Sequence, residues 1–263
     1  DKLNVELHVE KLDYEEMREM QLAWFRTGFA SLDVPQDHAF ISVVDKFSKK
    51  LGVKYILNGY NIATEIIADP ASWDEDAGKT GDGKFVKDVV KHFCNIPIKK
   101  YVYTNGFKHK VVMPFIYRIK TVKPLNLVPV TRQMMIDTLK EEYDYQPYGQ
   151  KHFENLLTKF LEAWWLPNKF GYDIRRSQLS SLILTKQITR EEALNILKEK
   201  PINDNEAEEL FNQVCEKLKI SKDELMDLYK LPRTNIKFKN SNFFYKVGLR
   251  LFEILGLEKR IRH

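Results

Sequence analysis

Residues 55–65 read Tyr-Ile-Leu-Asn-Gly-Tyr-Asn-Ile-Ala-Thr-Glu, and this stretch decides which fold the sequence predicts. Val53 to Leu57 form an apolar run that is typical of a short buried strand. The preceding residues predict a helix that begins near Asp37, carries apolar side chains at three- and four-residue spacing and ends at Gly52. A helix, a tight turn and a buried strand in that order predict a parallel sheet with crossover helices.

The rest of the first half also alternates between predicted strands and helices. Val5 to Val9 alternate as a strand does, and Tyr14 to Thr27 predict a helix that Gly28 closes. Residues 69–84 are rich in Asp, Gly and Lys, which predicts a surface loop. Residues 101–122 predict a hairpin that turns at Asn105-Gly106.

The second half is predicted to be helical from about Thr131 onward. Lys151 to Leu166 place their large apolar side chains on one broad face, and Pro167 is predicted to end that helix. Two capping boxes, Thr189 to Glu192 and Ser221 to Glu224, each predict the start of a short helix.

Composition narrows the functional classes. The 263 residues are 43% hydrophobic, which is sufficient for a packed core, and the apolar runs are much shorter than a membrane span. The net charge of +5 equals that of the segment Thr234 to His263, which holds seven basic and two acidic residues. The remainder is balanced, which argues against a broad nucleic-acid surface. Phe243 to Leu257 predict an amphipathic helix, which either packs on the domain or contacts an anionic membrane or a partner helix.

The two cysteines indicate a reducing compartment. Cys94 and Cys215 are far apart in the sequence and belong to no metal-ligand spacing. We therefore predict two reduced thiols of a cytoplasmic protein, each acting as a small buried hydrophobic residue.

The first candidate site follows the predicted strand. Asn58, Gly59, Asn61, Thr64 and Glu65 offer amide, hydroxyl and carboxylate groups at the carboxyl end of a strand, where parallel sheets bind their ligands. Gly59 would let the backbone approach a ligand closely. The alternative is a plain turn followed by a helix cap at Thr64.

A second candidate site lies at the start of the helix before that strand. Gln36, Asp37 and His38 form a polar cluster there, and Asp37 is a natural N-cap. A helix N-terminus also favours anions, which suggests substrate binding. No further ligands follow at helical spacing, so a metal site is only weakly indicated.

The third candidate site is cationic and belongs to the helical half. Lys151, His152 and Glu154 form one polar group, and Lys159 lies on the same predicted helix face as Lys151. Arg175 and Arg176 follow, and arginine binds phosphate or carboxylate groups with two parallel hydrogen bonds. The alternative is an ordinary solvated face.

Five segments together resemble the N-acetyl sugar amidotransferase family. One of them reads Tyr148-Gly-Gln-Lys-His-Phe-Glu154, and the others are Leu32 to Phe40, Tyr55 to Glu65, Leu166 to Arg176 and Leu179 to Ala193. The resemblance covers roughly residues 1–200. This family makes amidino sugars for lipopolysaccharide O-antigen, including pseudaminic- or legionaminic-type sugars. It belongs to the PP-loop ATP pyrophosphatases, which are relatives of NAD synthetase.

The resemblance implies a fold and a set of site residues. It implies an α/β, Rossmann-like domain of the adenine nucleotide alpha-hydrolase type over residues 1–130, incomplete at its N-terminus, and a helical C-terminal region over residues 131–263. It implies ATP and Mg²⁺ as cofactors and a nucleotide-linked N-acetyl sugar as substrate. The implied roles are catalysis by Lys151, His152 and Glu154; nucleotide binding by Asn58, Gly59, Asn61, Thr64 and Glu65, with Glu65 also binding Mg²⁺; and substrate or pyrophosphate binding by Gln36, Asp37, His38, Lys159, Arg175 and Arg176.

The implied reaction turns the acetamido group into an acetamidino group through an adenylylated intermediate. The ammonia is expected from a separate glutaminase subunit, because the sequence holds no identifiable Cys-His glutaminase centre. The sequence departs from the family in lacking the Ser-Gly-Gly phosphate loop, since it contains no Gly-Gly pair. Because Asp1 is not an initiator methionine, we expect a segment upstream to carry that loop, and we expect the present fragment alone to be inactive.

Two other functions stay open. A PP-loop enzyme that modifies tRNA would carry basic patches on its α/β body and catalytic cysteines near its site. A non-catalytic protein that has lost its phosphate loop would use the basic C-terminal segment to bind a partner.

Overall fold

The computed structural model of the protein describes residues 3–65, 80–147 and 152–241, together with Val247 and Arg250. The described residues divide into two compact units. Unit 1 takes those within Asp1–Val9, Leu57–Glu75 and Thr121–Leu231, and unit 2 takes those within Glu10–Ile56, Asp76–Lys120 and Pro232–His263. The predicted division of the chain at residue 130 stays a prediction.

The described part of the chain is mostly helical, with two short strands. The α-helices are α1 (Tyr14–Thr27), α2 (Val34–Leu51), α3 (Gly83–Phe93), α4 (Arg132–Tyr143), α5 (Leu156–Phe160), α6 (Leu166–Phe170), α7 (Arg175–Leu184), α8 (Arg190–Ile196), α9 (Asp204–Leu218) and α10 (Lys222–Lys230). Two π-helical segments span Lys108–Ile116 and Leu161–Trp165, and a 3₁₀ turn spans Pro124–Asn126. The strands are β1 (Tyr55–Leu57) and β2 (Lys120–Val122).

Helix α1 forms the centre of unit 2 and has the predicted bounds. The Asp13 side chain accepts a hydrogen bond from the Glu16 backbone N–H at 3.2 Å, and Gly28 ends the helix with a φ of 66°. A side chain at this φ would be strained, and glycine avoids the strain. Met20, Trp24 and Phe25 are fully buried where α1 packs against α2 and α3.

Helix α2 begins earlier than the sequence predicts. Its first residue is Val34 and Asp33 is the N-cap residue, so the prediction that Asp37 caps this helix is wrong. Pro35 explains the earlier start, because its fixed φ suits the first turn of a helix and its missing N–H is not needed there. The Asp37 backbone N–H accordingly donates to the Asp33 carbonyl at 3.0 Å within that turn. Gly52 ends the helix as predicted.

Strands β1 and β2 form a small parallel sheet, which confirms the prediction of a parallel sheet. The pairing itself is not predicted, because residues 120–122 belong to the predicted hairpin. The Lys120 N–H donates to the Lys54 carbonyl and the Asn58 N–H donates to the Val122 carbonyl, each at 2.8 Å. The predicted burial of β1 is wrong, because Tyr55 is 62% exposed and Leu57 is 73% exposed. An apolar strand is buried only where other elements cover its faces, and the described residues do not cover these two side chains.

Two other predicted elements differ from the structure. Val5 to Val9 form no strand and have no strand partner among the described residues, and Val5, Leu7 and Val9 are exposed. The predicted hairpin at Asn105-Gly106 is instead the start of the π-helical segment Lys108–Ile116. The Asn105 side chain accepts from the Lys108 N–H at 2.7 Å, and its carbonyl accepts from the His109 N–H at 2.9 Å. Asparagine serves turns and helix caps equally well, and here it caps a helix.

In unit 1 a single helical run from α5 to α6 replaces the predicted helix Lys151 to Leu166. Asn155 caps its N-terminus, and it continues past Pro167 to Gly171, which has a φ of 71°. The prediction that Pro167 ends the helix is wrong, because the wider π turn before it shifts the bonding pattern and places Pro167 in the first turn of α6. The core of unit 1 consists of packed rings: Phe160, Trp164, Trp165, Phe211 and Tyr229.

Helices α8 and α10 begin at the two predicted capping boxes. In each box the Thr189 or Ser221 side chain accepts from a backbone N–H, and Glu192 or Glu224 reaches back to the capping residue, which confirms both predictions. The predicted helix Phe243 to Leu257 lies outside the described residues except at Val247 and Arg250. In the described part of the chain no helix has the length and apolar character needed to cross a membrane.

Candidate functional site

The segment after β1 forms a turn that is held by its own side chains. The Asn58 side chain accepts from the Tyr60 N–H at 2.7 Å. Asn61, which is 2% exposed, accepts through Oδ1 from the Thr64 N–H at 3.0 Å and from the Thr64 hydroxyl at 3.1 Å. The two amide oxygens are therefore engaged locally, which agrees with the alternative of a plain turn at Asn58-Gly59. A helix that Thr64 would cap would lie in residues 66–79, outside the described residues.

The remaining groups of this turn leave the nucleotide assignment a prediction. Open space adjoins Gly59, because a side chain built there would meet nothing within 4 Å. Glu65 follows on the same turn, with its N–H bonded to the Asn61 carbonyl at 3.0 Å. Among residues 3–65, 80–147 and 152–241, no group of three His, Cys, Asp or Glu side chains is arranged to hold a metal ion. Mg²⁺ is often bound by one or two carboxylates and the substrate phosphates, so Mg²⁺ binding by Glu65 stays a prediction.

His38 is a fully buried residue at the centre of unit 2. Its Nε2 accepts from the Thr104 N–H at 3.3 Å, so Nδ1 carries the proton and donates to the Thr80 carbonyl at 2.6 Å. Burial lowers the pKa of His38 from its ordinary value of 6.5, which keeps the ring neutral. His38 therefore holds two distant loops together as a neutral tautomer. Its neighbours Gln36 and Asp37 lie at the surface of α2, and the Gln36 amide donates to Asp33 at 2.8 Å.

A buried carboxylate extends this polar network. Asp45 is 1% exposed, and it accepts from the Thr104 hydroxyl at 2.7 Å and pairs with Nδ1 of His109 at 2.8 Å. This network fixes the segment around Thr104 to α2.

The predicted cations of unit 1 are largely engaged in structural contacts. Arg175 grips both Asp173 oxygens through Nε and Nη2 and donates to the Glu199 carbonyl at 2.9 Å. Lys159 pairs with Glu206 at 2.5 Å. Arg176 is exposed.

The predicted catalytic residues fall at the edge of the described residues. His152 lies 3.1 Å from the Glu162 carboxylate, and Glu154 is exposed. Lys151 lies outside the described residues. The roles of the predicted catalytic and substrate-binding residues therefore stay predictions.

Unit 2 contains a hollow that the sequence analysis did not identify. Helix α3 lines one wall with Lys84, Lys87 and Lys91, and Lys239 is also part of the lining. Tyr103 and Phe107 contribute aromatic rings. The cavity volume is about 760 Å³, and we call it the lysine hollow.

The acids near the lysine hollow are occupied by the backbone. Asp88, which lines it, accepts from the Lys239 N–H at 2.8 Å. Asp82 caps α3 and also accepts from the Ser241 N–H at 2.5 Å and the Ser241 hydroxyl at 2.8 Å. These bonds attach the segment 239–241 to α3.

Close packing and burial shape the rest of the hollow. A side chain on Gly83 would lie 2.0 Å from the Thr104 carbonyl oxygen, so glycine allows α3 to contact the neighbouring segment directly. Lys87 Nζ lies 4.8 Å from the centre of the Tyr103 ring. Burial raises the pKa of Tyr103 to about 12, so its hydroxyl stays protonated.

The sequence contains part of the signal for this hollow. Lys84, Lys87 and Lys91 are spaced three and four residues apart, which places them on one face of α3, opposite the buried Phe85 and Val89. The contributions of Tyr103 and Lys239 depend on tertiary structure.

The comparison with known families concerns the C-terminal part of the chain, which belongs to unit 1 up to Leu231 and to unit 2 after it. Residues 154–252 match the family described as LPS biosynthesis protein WbpG-like, C-terminal domain. The WbpG-like segment covers less than half of the chain and includes Lys159, Arg175 and Arg176. Neither the curated proteins nor the solved structures contain a match to the chain.

The match supports a WbpG-type role in lipopolysaccharide biosynthesis. It agrees with the surface-polysaccharide context that the sequence resemblance implies.

The two cysteines are free thiols, and burial raises the pKa of Cys94 to about 12, which makes it a poor nucleophile.

Proposed function

We propose that the chain is part of an ATP-dependent amidotransferase that converts the N-acetyl group of a nucleotide-linked sugar into an acetamidino group. The observation that carries this proposal is the match of residues 154–252 to the WbpG-like family of lipopolysaccharide biosynthesis. The five segments that resemble N-acetyl sugar amidotransferases supply the reaction type.

The proposed fold is a Rossmann-like domain of the adenine nucleotide alpha-hydrolase type. The parallel pair β1 and β2 supports it, because the chain leaves one strand and returns to the other through a crossover that contains α3. The turn from Asn58 to Glu65 follows the carboxyl end of β1, which is the edge where such folds bind nucleotides.

The proposed chemistry has two steps. The acetamido oxygen first attacks the α-phosphorus of ATP, forming an O–P bond and releasing diphosphate. Ammonia then adds to the activated carbon and loses a proton, and the C–O bond breaks. AMP departs with the former acetamido oxygen, leaving the acetamidino group.

The chain's own residues are proposed to bind and orient these reactants. Lys151 would stabilise negative charge on the departing diphosphate, with His152 and Glu154 beside it as proton carriers. Glu65 would contribute a carboxylate to Mg²⁺, which neutralises phosphate charge when it is bound. Arg176 is exposed and would be available to a sugar carboxylate or a phosphate.

The ammonia is proposed to come from a separate glutaminase, and the reaction to occur in the cytoplasm. Free ammonia, but not glutamine, would then support the reaction of the amidotransferase alone. Turnover with glutamine alone would instead indicate an enzyme that carries its own glutaminase site.

The test is product analysis with the full-length gene product, ATP, ammonia and nucleotide-linked N-acetyl sugars. The acetamido oxygen of the sugar is labelled with a heavy isotope. We expect AMP and diphosphate, with the label in AMP and nitrogen from ammonia in the sugar. Formation of ADP with the label in phosphate would rule out adenylyl transfer, and no sugar-dependent turnover of ATP would refute the reaction.

Variants test the assigned site within the same assay. We expect Lys151→Ala and Glu65→Ala each to reduce AMP release at least about tenfold, because each removes charge stabilisation from the reaction. Glu142→Ala, at an exposed position of α4, is the matched control and should retain the wild-type rate. Wild-type rates in both site variants would refute the site.

A further inference from the structure

The lysine hollow of unit 2 has the charge, shape and lining of an anion site. We propose that it binds the diphosphate group of a small soluble ligand of the nucleoside diphosphate class. The proposal concerns binding only and does not depend on the amidotransferase reaction.

Charge is the first argument. Four lysines line the hollow together with one carboxylate, Asp88. That carboxylate accepts the Lys239 backbone N–H at 2.8 Å, and the nearby Asp82 accepts four hydrogen bonds from backbone and hydroxyl groups. Both acids are thus held by donors of the fold, and the lysines of the lining supply its positive charge. Lysine ammonium groups are common phosphate binders.

The shape of the hollow favours a small ligand over a polymer or a membrane. A volume of about 760 Å³ falls in the range typical of small-molecule sites. Nucleic acids and anionic membranes are instead bound by extended basic surfaces. The cations here converge on one concavity, with Lys84, Lys87 and Lys91 on a single helix face.

The lining also offers a place for the organic part of the ligand. Phe107 is 57% exposed and Tyr103 forms part of the same lining. Aromatic rings beside a basic groove stack on nucleotide bases. The Tyr103 hydroxyl stays protonated, so it can donate a hydrogen bond to phosphate oxygen.

The floor of the hollow is held by close packing and hydrogen bonds. Gly83 packs directly on the Thr104 carbonyl, and the Thr104 hydroxyl donates to the buried Asp45 at 2.7 Å. The Thr104 N–H is bonded to His38. A preorganised floor reduces the conformational entropy that binding would otherwise cost.

The test is isothermal titration calorimetry on the full-length protein at low salt. Inorganic diphosphate, UDP, ADP and uridine are titrated separately. We expect diphosphate and both nucleotides to bind and uridine to bind at least about tenfold more weakly, because the phosphates supply most of the attraction. Equal affinities for diphosphate and UDP would identify the phosphates alone as the ligand, whereas tighter binding of UDP or ADP would identify the nucleotide.

Variants that replace lysines with glutamine locate the site. We expect the double variant Lys87→Gln/Lys91→Gln to weaken diphosphate binding at least about tenfold, while Lys140→Gln on α4 leaves it unchanged. Equal melting temperatures would show that all three proteins are folded. These lysines lie at the surface of α3, so their replacement should preserve the fold.

Four results would overturn the proposal. The first is that the wild type binds neither diphosphate nor nucleotide, and the second is that the double variant keeps the wild-type affinity. The third is that the Lys140→Gln control weakens binding as much as the double variant does. The fourth is that an oligonucleotide or an anionic vesicle binds more tightly than UDP and depends on the same lysines. Loss of AMP release with diphosphate binding intact would instead refute the proposed reaction and leave the hollow as proposed.

Discussion

In unit 1 the half-buried cation Lys169 fastens the backbone, whereas in unit 2 the buried carboxylate Glu16 does so. Lys169 donates to the carbonyls of Tyr229 at 2.6 Å and Leu231 at 2.8 Å, where α10 ends. Glu16, which is 7% exposed, instead accepts hydrogen bonds from the backbone N–H groups of Lys99, Lys100 and Tyr101, the nearest at 2.9 Å.

The difference concerns which charged side chains the fold itself binds. In unit 1 Lys159, Lys169 and Arg175 are engaged by carboxylates and carbonyls of the fold. In unit 2 Asp82 and Asp88 are engaged by backbone N–H groups, and lysines line the hollow. A positively charged sequence motif therefore does not by itself indicate a binding site; the opposite charges around it must be accounted for first.

The largest expected effect is on Glu16. Replacing Glu16 with Gln puts an amide donor against backbone donors, and we expect a loss of about 3 kcal/mol in the free energy of unfolding. Urea denaturation measures this change. Glu15→Gln is the control, since Glu15 is exposed and its ion pair with Arg18 lies at the surface; a loss below about 0.5 kcal/mol is expected there. Equal losses in both variants would contradict the role of buried carboxylates in unit 2.

The corresponding change in unit 1 is Lys169→Met. Methionine keeps an apolar stem but leaves the carbonyls at the end of α10 without their donor, and it removes a cation 5.4 Å from the Trp165 ring centre. We expect a loss of about 2 kcal/mol by urea denaturation. Lys230→Met removes an exposed cation from the last turn of α10 and should cost below about 0.5 kcal/mol. An unchanged free energy of unfolding in Lys169→Met would show that this cation does not stabilise the fold.

The smallest expected effect concerns the pH dependence of unit 2. Since burial lowers the pKa of His38 below 6.5, the unfolded chain takes up a proton that the folded chain does not, and stability falls as the pH drops below 6.5. We expect His38→Gln to reduce the slope of stability against pH by about 1 kcal/mol per pH unit between the two pKa values.

The matching control for this slope is His8→Gln, at an exposed position of unit 1. It should leave the slope unchanged. The measurement is the free energy of unfolding from urea curves collected at several pH values. A wild-type slope in His38→Gln would show that His38 is charged in the folded protein.

Elements that depend on near neighbours in the sequence were predictable. The end of α1 at Gly28 and the start of α8 at Thr189 depend on residues within four positions, and the structure confirms both. The turn at Asn105-Gly106 was not predictable in the same way. Asn105 suits a hairpin or a helix cap, and the following His109 is held by Asp45, which is distant in the sequence.

The site was less predictable than the helices, because it depends on tertiary contacts. Arg175 and Arg176 are adjacent in the sequence, yet only the structure shows that Arg175 grips Asp173 while Arg176 is exposed. In the hollow, spacing alone places Lys87 on a helix face, but Lys239 reaches it from a segment distant in the sequence. Sequence patterns identify charged helix faces, but they do not show which of the charged side chains are bound by other residues of the fold.

Hydrogen exchange with and without diphosphate tests most directly the claim that the lysine hollow of unit 2 binds this anion. We expect slower exchange in peptides that cover α3 and the segment Tyr103 to Phe107, and unchanged exchange in peptides that cover α9 and α10. Slower exchange confined to α5, α6 and α7, with none in α3, would contradict the account.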